Sequence, residues 1–193
     1  MVQAGPSTVT ADRKAELRTE LARRLAALGP TEIARRSAQA CGHLIDLRPR
    51  PKAVMAYLAL PGEADPAAAI ASWRAAGVPV AAPKVNWSNR TMQPALLGGE
   101  LVTGRHGLRE PPPDASLLEL NEIGLVVVPG LGFSAGGARL GRGGGFYDRF
   151  LARLPAGTET VGLVLSCQLM DEIPTDAHDR AVDMVVTEDG PVV

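Results

Sequence analysis

The sequence predicts an α/β protein, a three-layer sandwich with a largely parallel central sheet of roughly five or more strands and helices on both faces. Two apolar runs of strand length, AVMAYLAL (53–60) and IGLVVVPGL (123–131), have no alternating polar positions, which is typical of strands buried on both faces. Helical segments alternate with these runs, as in βαβ units. The chain has 193 residues with 46% hydrophobic content, so we expect one domain with a large core.

Changes in periodicity give the order of the elements. Residues 1–11 are small, polar and aperiodic and predict a disordered N-terminal arm, so the single α/β domain should cover residues 12–193. Leucines at helical spacing predict a first helix that Gly29 and Pro30 end, and a second helix follows from about Thr31. The other predicted elements are a strand at 53–60, a helix at 64–77, a strand at 78–83, hairpins and loops over 86–119, a strand at 123–131, a helix at 146–154, and strands at 160–166 and 183–189.

Charge and cysteine content exclude several classes of function. A net charge of -1 and a pI near 6.3 give no overall attraction to nucleic acid or membranes, so an anionic ligand must be held by local positive groups. Cys41 and Cys167 match no metal-binding spacing, and no signal-peptide pattern is present, which predicts reduced cysteines in the cytoplasm. We therefore expect a cytoplasmic protein without nucleic acid or membrane partners, and we assign it as a monomer.

One segment, GFSAGGARLGRGGGFY at residues 132–147, allows two kinds of chemistry. Its G-x-S-x-G start could present Ser134 as a hydrolase nucleophile, with an aspartate and His178 further along the chain as triad partners. A nucleophile elbow leads directly into a helix, whereas the glycines after Ser134 oppose helix formation. We favour a turn residue for Ser134 and keep a serine hydrolase as the alternative.

The glycine cluster in the second half of this segment matches neither standard nucleotide-binding loop. Phe146 stands where a dinucleotide fingerprint has its last glycine, and the chain contains no Gly-Lys pair for a Walker loop. Glycines nevertheless let a ligand approach the backbone, and free amides at the start of the following helix attract anions. Because Arg139 and Arg142 can add charge-assisted hydrogen bonds to phosphate, we predict a phosphate cradle. The alternative is a glycine-rich connection that serves only tight packing.

Four further charged residues are compatible with a phosphate site. Lys14 and Arg18 lie at i and i+4 of the first helix, so they form either half of an anion site or a solvated basic face. Asp148 suits a magnesium ion or a helix-start carboxylate favoured by the dipole, and Asp183 at a strand start has the same ambiguity. The histidines lack metal-ligand spacing and are interpreted as surface or structural residues: His43, His106 and His178.

Six segments resemble, in order, those of one known family. They are KAELR (14–18), YLALPGEAD (57–65), GLREP (107–111), VPGLGF (128–133), RLGRGGGFYDRF (139–150) and AVDMVVTED (181–189). The fifth segment is distinctive, and the common order of all six makes the chain similar to the 5-formyltetrahydrofolate cyclo-ligase (5,10-methenyltetrahydrofolate synthetase) family. The family often has aspartate at the position of Ser134 and tyrosine at the position of Phe146, and the second departure removes a hydroxyl near the implied substrate pocket.

The resemblance implies a ligase that forms a cyclic C–N bond: it uses ATP and Mg²⁺ to convert 5-formyltetrahydrofolate to 5,10-methenyltetrahydrofolate, releasing ADP and phosphate. The implied ATP contacts are Lys14, Arg18, Arg139, Leu140, Gly141, Arg142, Gly143, Gly144, Gly145, Phe146 and Tyr147; the folate contacts are Leu58, Glu63, Arg142, Gly143, Gly144, Gly145 and Phe146; and the magnesium ligands are Asp148 and Asp183. Phosphoryl transfer depends mainly on alignment and charge neutralisation, so we predict that Arg142 stabilises the transition state. A divergent member that binds a phosphorylated ligand without this reaction is the alternative.

Overall fold

The computed structural model of the chain describes residues 8–192, and residues 1–7 and 193 lie outside the described part. The helices are α1 (Thr8–Leu47), α2 (Ala67–Ala75) and α3 (Phe146–Leu151), and the strands are β1 (Val54–Ala56), β2 (Val80–Asn86), β3 (Thr91–Leu96), β4 (Val102–Thr103), β5 (Arg109–Glu110), β6 (Leu125–Val128), β7 (Gly132–Ser134), β8 (Arg139–Leu140), β9 (Glu159–Leu163), β10 (Leu169–Met170), β11 (Met184–Thr187) and β12 (Gly190–Val192). Helix α1 includes residues 8–11, so the predicted N-terminal arm is too long at that end. The rest of the arm lies outside the described residues.

A seven-stranded sheet forms the centre of the protein, in the order β12-β11-β9-β6-β1-β2-β3. The pairs from β11 to β2 are parallel, and antiparallel strands β12 and β3 close the two edges. The α/β fold with a largely parallel sheet is therefore confirmed. Two small sheets accompany it: β10-β7-β8, and the hairpin of β4 and β5. Within the described part of the chain, no helix has both the length and the apolar character needed to cross a membrane.

Helices cover both faces of the sheet, as the unbroken apolar runs predict. Val54 of strand β1 faces a core cluster that includes Leu44 of α1 and Trp73 of α2. Met55, the next residue, faces the opposite cluster, which includes Phe150 of α3. All five side chains are buried, and alternate strand residues enter different cores because the side-chain period of a strand is two.

Helix α1 is broken at Gly29, where φ is 74° and ψ is 162°. This conformation suits glycine, and Pro30 follows it, as the sequence predicts for the end of one helix and the start of another. The half before the break packs partly on the small sheet of β10, β7 and β8. Its residues Leu17 and Leu21 pack with Leu140 of strand β8, which holds the start of α1 beside the glycine-rich segment.

Several predicted elements are longer in sequence than in the structure, and two of them border the glycine-rich segment or the cavity. Only Val54–Ala56 of the apolar run at 53–60 forms a strand, and the residues after it turn away from the sheet. The helix predicted over 146–154 ends at Leu151, before Pro155, which disfavours helical conformation in the residue preceding it. The C-terminal part of the first run becomes a cavity wall instead of a strand.

Candidate ligand-binding site

A cavity of about 870 Å³ opens where strands β1 and β6 end. The carboxyl ends of parallel strands are the usual ligand sites of α/β sheets, and the volume is within the range of small-molecule pockets. The cavity walls include nearly all the residues predicted from sequence: Lys14, Arg18, Leu58, Glu63, Arg139, Leu140, Gly141, Arg142, Gly143, Gly144, Gly145, Phe146, Tyr147 and Asp148. The fold therefore gathers side chains that are up to 134 positions apart in the numbering, from 14 to 148.

The cavity is positively charged although the chain is nearly neutral. Eight of the twenty Lys and Arg residues line it, against four of the twenty-one Asp and Glu residues. Positive charge concentrated in a concave, partly apolar site attracts anionic ligands. The composition gave no hint of this distribution because it reports only the net charge of -1.

Backbone conformation and Arg18 hold the glycine-rich loop in place. Gly143 and Gly145 have positive φ values of 93° and 64°, which only glycine adopts without strain. Nε of Arg18 donates a 2.9 Å hydrogen bond to the carbonyl of Gly141. Helix α3, which begins at Phe146, has six residues, so its dipole is short and the arginines must supply most of the positive charge.

Lys14 is held by two carboxylates that the sequence analysis missed. Its Nζ lies 2.6 Å from Oδ2 of Asp176 and 2.6 Å from Oδ2 of Asp179. Burial alone would lower the pKa of Lys14, but the two hydrogen bonds outweigh it and the pKa is raised. The ammonium is therefore charged and fixed at the cavity wall. No local pattern signals these pairs, because the partners are more than 160 positions away.

Arg139 and Asp148 form a second ion pair at the base of the loop. Nη2 of Arg139 lies 2.7 Å from Oδ1 of Asp148, and the two side chains are 6% and 17% exposed. The Arg139 guanidinium also lies over the ring of Tyr147, 5.7 Å from its centroid. Oδ2 of Asp148 has no hydrogen bond with the described residues, so this oxygen could coordinate a hard cation such as Mg²⁺.

Two buried polar atoms beside this pair lack partners within residues 8–192: Nε of Arg139 and the hydroxyl of Tyr147. Burial raises the pKa of Tyr147 well above its ordinary value, so the phenol is neutral and can donate a hydrogen bond. Buried polar groups normally have partners, so these two atoms are candidates to bond a water, an ion or a ligand in the cavity.

Arg142 and Glu63 connect the two sides of the cavity. Nε of Arg142 donates a 2.8 Å hydrogen bond to Oε1 of Glu63, while Oε2 of Glu63 accepts one of 2.9 Å from the amide of Leu60. The Arg142 side chain is 52% exposed and the Glu63 side chain 11%. The exposed arginine can therefore change position more easily than the carboxylate.

Asp183 is the one predicted site residue that does not line the cavity. Its Oδ2 accepts hydrogen bonds of 2.8 Å from the amide and 2.7 Å from the hydroxyl of Thr160. These contacts tie the start of β11 to β9. The geometry thus supports a structural role for Asp183, and its assignment as a magnesium ligand stays a prediction.

A second group of possible metal ligands lies beside Lys14. Carboxylate oxygens of Asp176 and Asp179 and a ring nitrogen of His178 lie within 4.8 Å of one another. The Lys14 ammonium already bonds to both carboxylates and offsets one of their two negative charges, so a cation here would compete with that ammonium. His178 lines the cavity, although the sequence gave it no metal-ligand spacing.

Ser134 is the last residue of strand β7, where the turn to β8 begins, and it does not line the cavity. It is 7% exposed, and its hydroxyl accepts a 3.1 Å hydrogen bond from the amide of Ala138. Among the described residues, Ser134 makes no hydrogen bond with His178, which lines the cavity while Ser134 does not. The geometry supports the turn interpretation and gives no nucleophile–base pair for a serine hydrolase.

Sequence reasoning also missed the side of the cavity formed by the β2–β3 hairpin. Trp87 contacts Phe146 edge to face, with ring centroids 5.3 Å apart. Arg149 of α3 donates hydrogen bonds to the carbonyls of Arg90 at 2.9 Å and Gly144 at 2.7 Å. The hairpin turn is therefore fixed against the glycine-rich loop.

The fold and the cavity define an α/β protein with a positively charged site for anionic small molecules at the carboxyl ends of its parallel strands. The model of the 5-formyltetrahydrofolate cyclo-ligase family matches residues 10–188, and the chain belongs to this family. The predicted resemblance is therefore confirmed.

Individual relatives support the same family. The chain is 44% identical over 90 residues to the 5-formyltetrahydrofolate cyclo-ligase of Mycolicibacterium smegmatis, covering 46% of each chain. It is 38% identical over 90 residues to the Escherichia coli K12 enzyme of the same name, covering 46% of this chain and 50% of that protein. The chain thus spans about half the length of the curated relatives it matches.

Solved structures match over nearly the whole chain. The NMR structure of Aquifex aeolicus 5,10-methenyltetrahydrofolate synthetase has a TM-score of 0.80 and 28% identity, covering 92% of this chain and 91% of that one. The 5,10-methenyltetrahydrofolate synthetase of Mycoplasma pneumoniae has a TM-score of 0.74 at 21% identity, covering 91% and 98%, and shows the fold alone.

Proposed function

We propose that the protein is an ATP- and Mg²⁺-dependent ligase that converts 5-formyltetrahydrofolate to 5,10-methenyltetrahydrofolate with release of ADP and phosphate. The observation that carries this proposal is one cavity in which a glycine-rich loop, fixed cations and an anchored carboxylate meet, in a chain of this family. We also propose that the protein acts as a monomer.

The phosphate end of the proposed site consists of Lys14, Arg18, Arg139 and the glycine-rich loop. Lys14 and Arg139 are each held by carboxylates, so their charged groups are oriented before ATP binds. Preoriented charge stabilises phosphoryl transfer without the cost of rearrangement. Nε of Arg139 and the Tyr147 hydroxyl, which lack protein partners in the described chain, are the donors that would gain from a phosphate oxygen.

Glu63 and Leu58 form the proposed folate end. Oε2 of Glu63 is anchored on the amide of Leu60, which fixes the carboxylate so that Oε1 can accept hydrogen bonds from the amino and ring N–H groups of a pterin. In the structure this oxygen accepts from Arg142. Folate binding would therefore release Arg142, which would then be available to phosphate oxygens.

Bound Mg²⁺ would neutralise charge on the phosphate oxygens, and the oxygen donors of the site suit it. Oδ2 of Asp148 could hold the ion, because Arg139 occupies only Oδ1. Asp183 accepts two hydrogen bonds from Thr160 and does not line the cavity. Asp183 would therefore have to change its contacts to serve as the second ligand of the ion.

The proposed chemistry needs no protein nucleophile. The formyl oxygen attacks the γ-phosphorus of ATP, the bond from that phosphorus to the β–γ bridging oxygen breaks, and ADP leaves. N10 of the folate then attacks the formyl carbon and loses its proton, and the carbon–oxygen bond breaks to release phosphate. Arg142 and Arg139 can stabilise the charge on the phosphoryl group as it transfers.

A spectrophotometric assay tests the proposal. The methenyl product absorbs in the near ultraviolet, so its formation from 5-formyltetrahydrofolate can be followed directly, with ATP or Mg²⁺ omitted as controls. We expect product only when both are present. Nucleotide binding without product would instead support a family member that lacks this reaction.

A further inference from the structure

An arginine at the turn of the β2–β3 hairpin has an unusual backbone conformation. Arg90 has a φ of 54°, the one positive value at a non-glycine residue within residues 8–192. Its carbonyl accepts a 2.9 Å hydrogen bond from Nε of Arg149, whose Nη2 donates to the carbonyl of Gly144. A left-handed conformation at a residue other than glycine, asparagine or aspartate is uncommon. Here the side chain of Arg149 in α3 holds it in place.

Arg90 and Arg109 lie on the β2, β3 and β5 side of the cavity and have no anionic partner among the described residues. Both line the cavity and both are exposed. Of the other cavity cations, Arg18 and Arg149 bond to backbone carbonyls, and the Arg180 side chain is also unpaired in the described chain, but its amide lies beside Asp148 at the other end. Lys14, Arg139 and Arg142 each pair with a carboxylate, whereas the side chains of Arg90 and Arg109 make no ion pair or hydrogen bond with the described residues. Their guanidinium groups are free to bind planar anions in a bidentate manner.

An apolar wall lies on the same side of the cavity as these two arginines. This wall consists of Val85, Met92, Leu108, Trp87 and Phe146. The rings of Trp87 and Phe146 meet edge to face, with their centroids 5.3 Å apart. Such a wall suits a flat aromatic group. The cavity thus presents fixed cations near the glycine-rich loop, an apolar wall, and the unpaired guanidinium groups of Arg90 and Arg109 on the β2, β3 and β5 side.

We propose that Arg90 and Arg109 bind the carboxylates of the glutamate in the folate substrate, whose aminobenzoyl ring packs on the wall that Trp87 and Phe146 form. This inference rests on the proposed function. A folate carries an aromatic ring followed by a glutamate with two carboxylates, and this order matches the apolar wall followed by two guanidinium groups. The same guanidinium chemistry would also attract phosphate oxygens of ATP, so the test must separate the two anions.

Steady-state kinetics of Arg90→Ala, Arg109→Ala and the double variant provide the test. The substrates are 5-formyltetrahydrofolate and its analogue without glutamate, 5-formyltetrahydropteroate, each with Mg-ATP. We expect each single variant to raise KM for the full substrate about tenfold, with kcat within about twofold and KM for ATP unchanged. KM for the analogue should rise much less in the variants than KM for the full substrate, because the analogue lacks both glutamate carboxylates and keeps only the carboxylate of its aminobenzoate ring. Arg90→Lys should retain part of the affinity, since it keeps the charge but not the planar fork.

Arg23→Ala is the matched control, because Arg23 is an exposed arginine of α1 that does not line the cavity. It should behave as the wild type. An equal rise in KM for both folates, a rise in KM for ATP instead, or no change in any KM would overturn the assignment.

Equilibrium dialysis of 5-formyltetrahydrofolate without ATP separates this inference from the proposed reaction. If the wild type forms no methenyl product but binds 5-formyltetrahydrofolate about tenfold more tightly than Arg90→Ala, the carboxylate site stands and the proposed reaction fails. If wild type and variant bind it equally, the carboxylate site is wrong whatever the assay gives.

Discussion

Oε1 of Glu63 and Nε of Arg142 are joined by a 2.8 Å hydrogen bond that links the loop after β1 to the glycine-rich loop. The proposed folate contact and the proposed transition-state residue are thus engaged with each other in the ligand-free protein. This relationship predicts different kinetic effects for changes at the two ends of the bond.

Arg142→Ala should lower kcat about a hundredfold or more, because the variant removes a charged donor from the transferring phosphoryl group. Glu63→Gln should chiefly raise KM for the folate, since the variant keeps Arg142 but loses a charged acceptor. Steady-state assays with both substrates varied would distinguish the two patterns. Full ATP-dependent turnover by Arg142→Ala would show that this role is wrong.

Gly145→Ala should lower the free energy of unfolding by roughly 1–2 kcal/mol, because alanine at a φ of 64° is strained. It should also weaken Mg-ATP binding by shifting the loop amides. Gly77→Ala is the matched control, since Gly77 has a φ of 77° with no atom within 4 Å of an added Cβ and does not line the cavity. Both variants should lose stability in urea unfolding, but only Gly145→Ala should lose nucleotide affinity. Equal nucleotide affinities in the two variants would contradict the cradle.

Tyr147→Phe should stabilise the ligand-free protein, by about 1 kcal/mol, because it removes a buried hydroxyl without a partner in the described chain. Tyr57→Phe should instead destabilise the ligand-free protein, since the Tyr57 hydroxyl donates a hydrogen bond to the carbonyl of Ala64 that the variant loses. Tyr147→Phe should also reduce the stabilisation that substrates give to the protein in thermal unfolding. A loss of ligand-free stability in Tyr147→Phe would mean that the hydroxyl is satisfied within the protein.

Asp179 and Glu188 should make the protein sensitive to acid. Burial alone would raise the pKa of each carboxyl, but hydrogen bonds from Lys14 to Asp179 and from Ser166 to Glu188 outweigh it, and both pKa values are lowered. The unfolded state then binds more protons than the folded state below the ordinary pKa values of 3.8 and 4.5. The stabilisation from these carboxylates is therefore complete above the ordinary pKa values and is lost as the pH falls from them to the lowered pKa values of the folded protein.

Urea unfolding at several pH values between about 6 and 3 checks this dependence. The free energy of unfolding of the wild type should fall as the pH drops below about 4.5. The free energy of unfolding of Asp179→Asn should fall less steeply over the same pH range. Identical slopes for the two proteins would show that Asp179 does not contribute to acid sensitivity.

Much of the fold could be predicted from sequence because the responsible signals are local. The unbroken apolar run around Val126 indicates a strand buried on both faces, and Gly29 with Pro30 indicates a helix break. The hairpin region and the lengths of β1 and α3 were less predictable. The apolar side chains of Leu58 and Leu60 line a cavity instead of a sheet, and sequence alone does not distinguish the two environments.

The site could be predicted where one segment carries it, and less well where the fold creates it. The residues of the loop from Arg139 to Tyr147 stand together in the sequence, so clustered glycines, two arginines and the family resemblance indicated them as one group, and all of them line the cavity. The carboxylates that hold Lys14 come from a distant loop without periodicity, so no pattern could reveal them. A carboxylate at a strand start, such as that of Asp183, has the same sequence signal whether it binds a metal or only accepts hydrogen bonds from a residue such as Thr160.

Titration of Mg-ATP into the wild-type protein and the Arg18→Ala variant, followed by calorimetry, tests the central claim that the glycine-rich loop and its arginines hold the triphosphate. Arg18 is the sharpest probe because it both lines the cavity and fixes the carbonyl of Gly141. The proposed site predicts saturable one-to-one binding by the wild type that is at least about tenfold weaker in the variant. Failure of the wild type to bind Mg-ATP, or equal affinity in the two proteins, would contradict it.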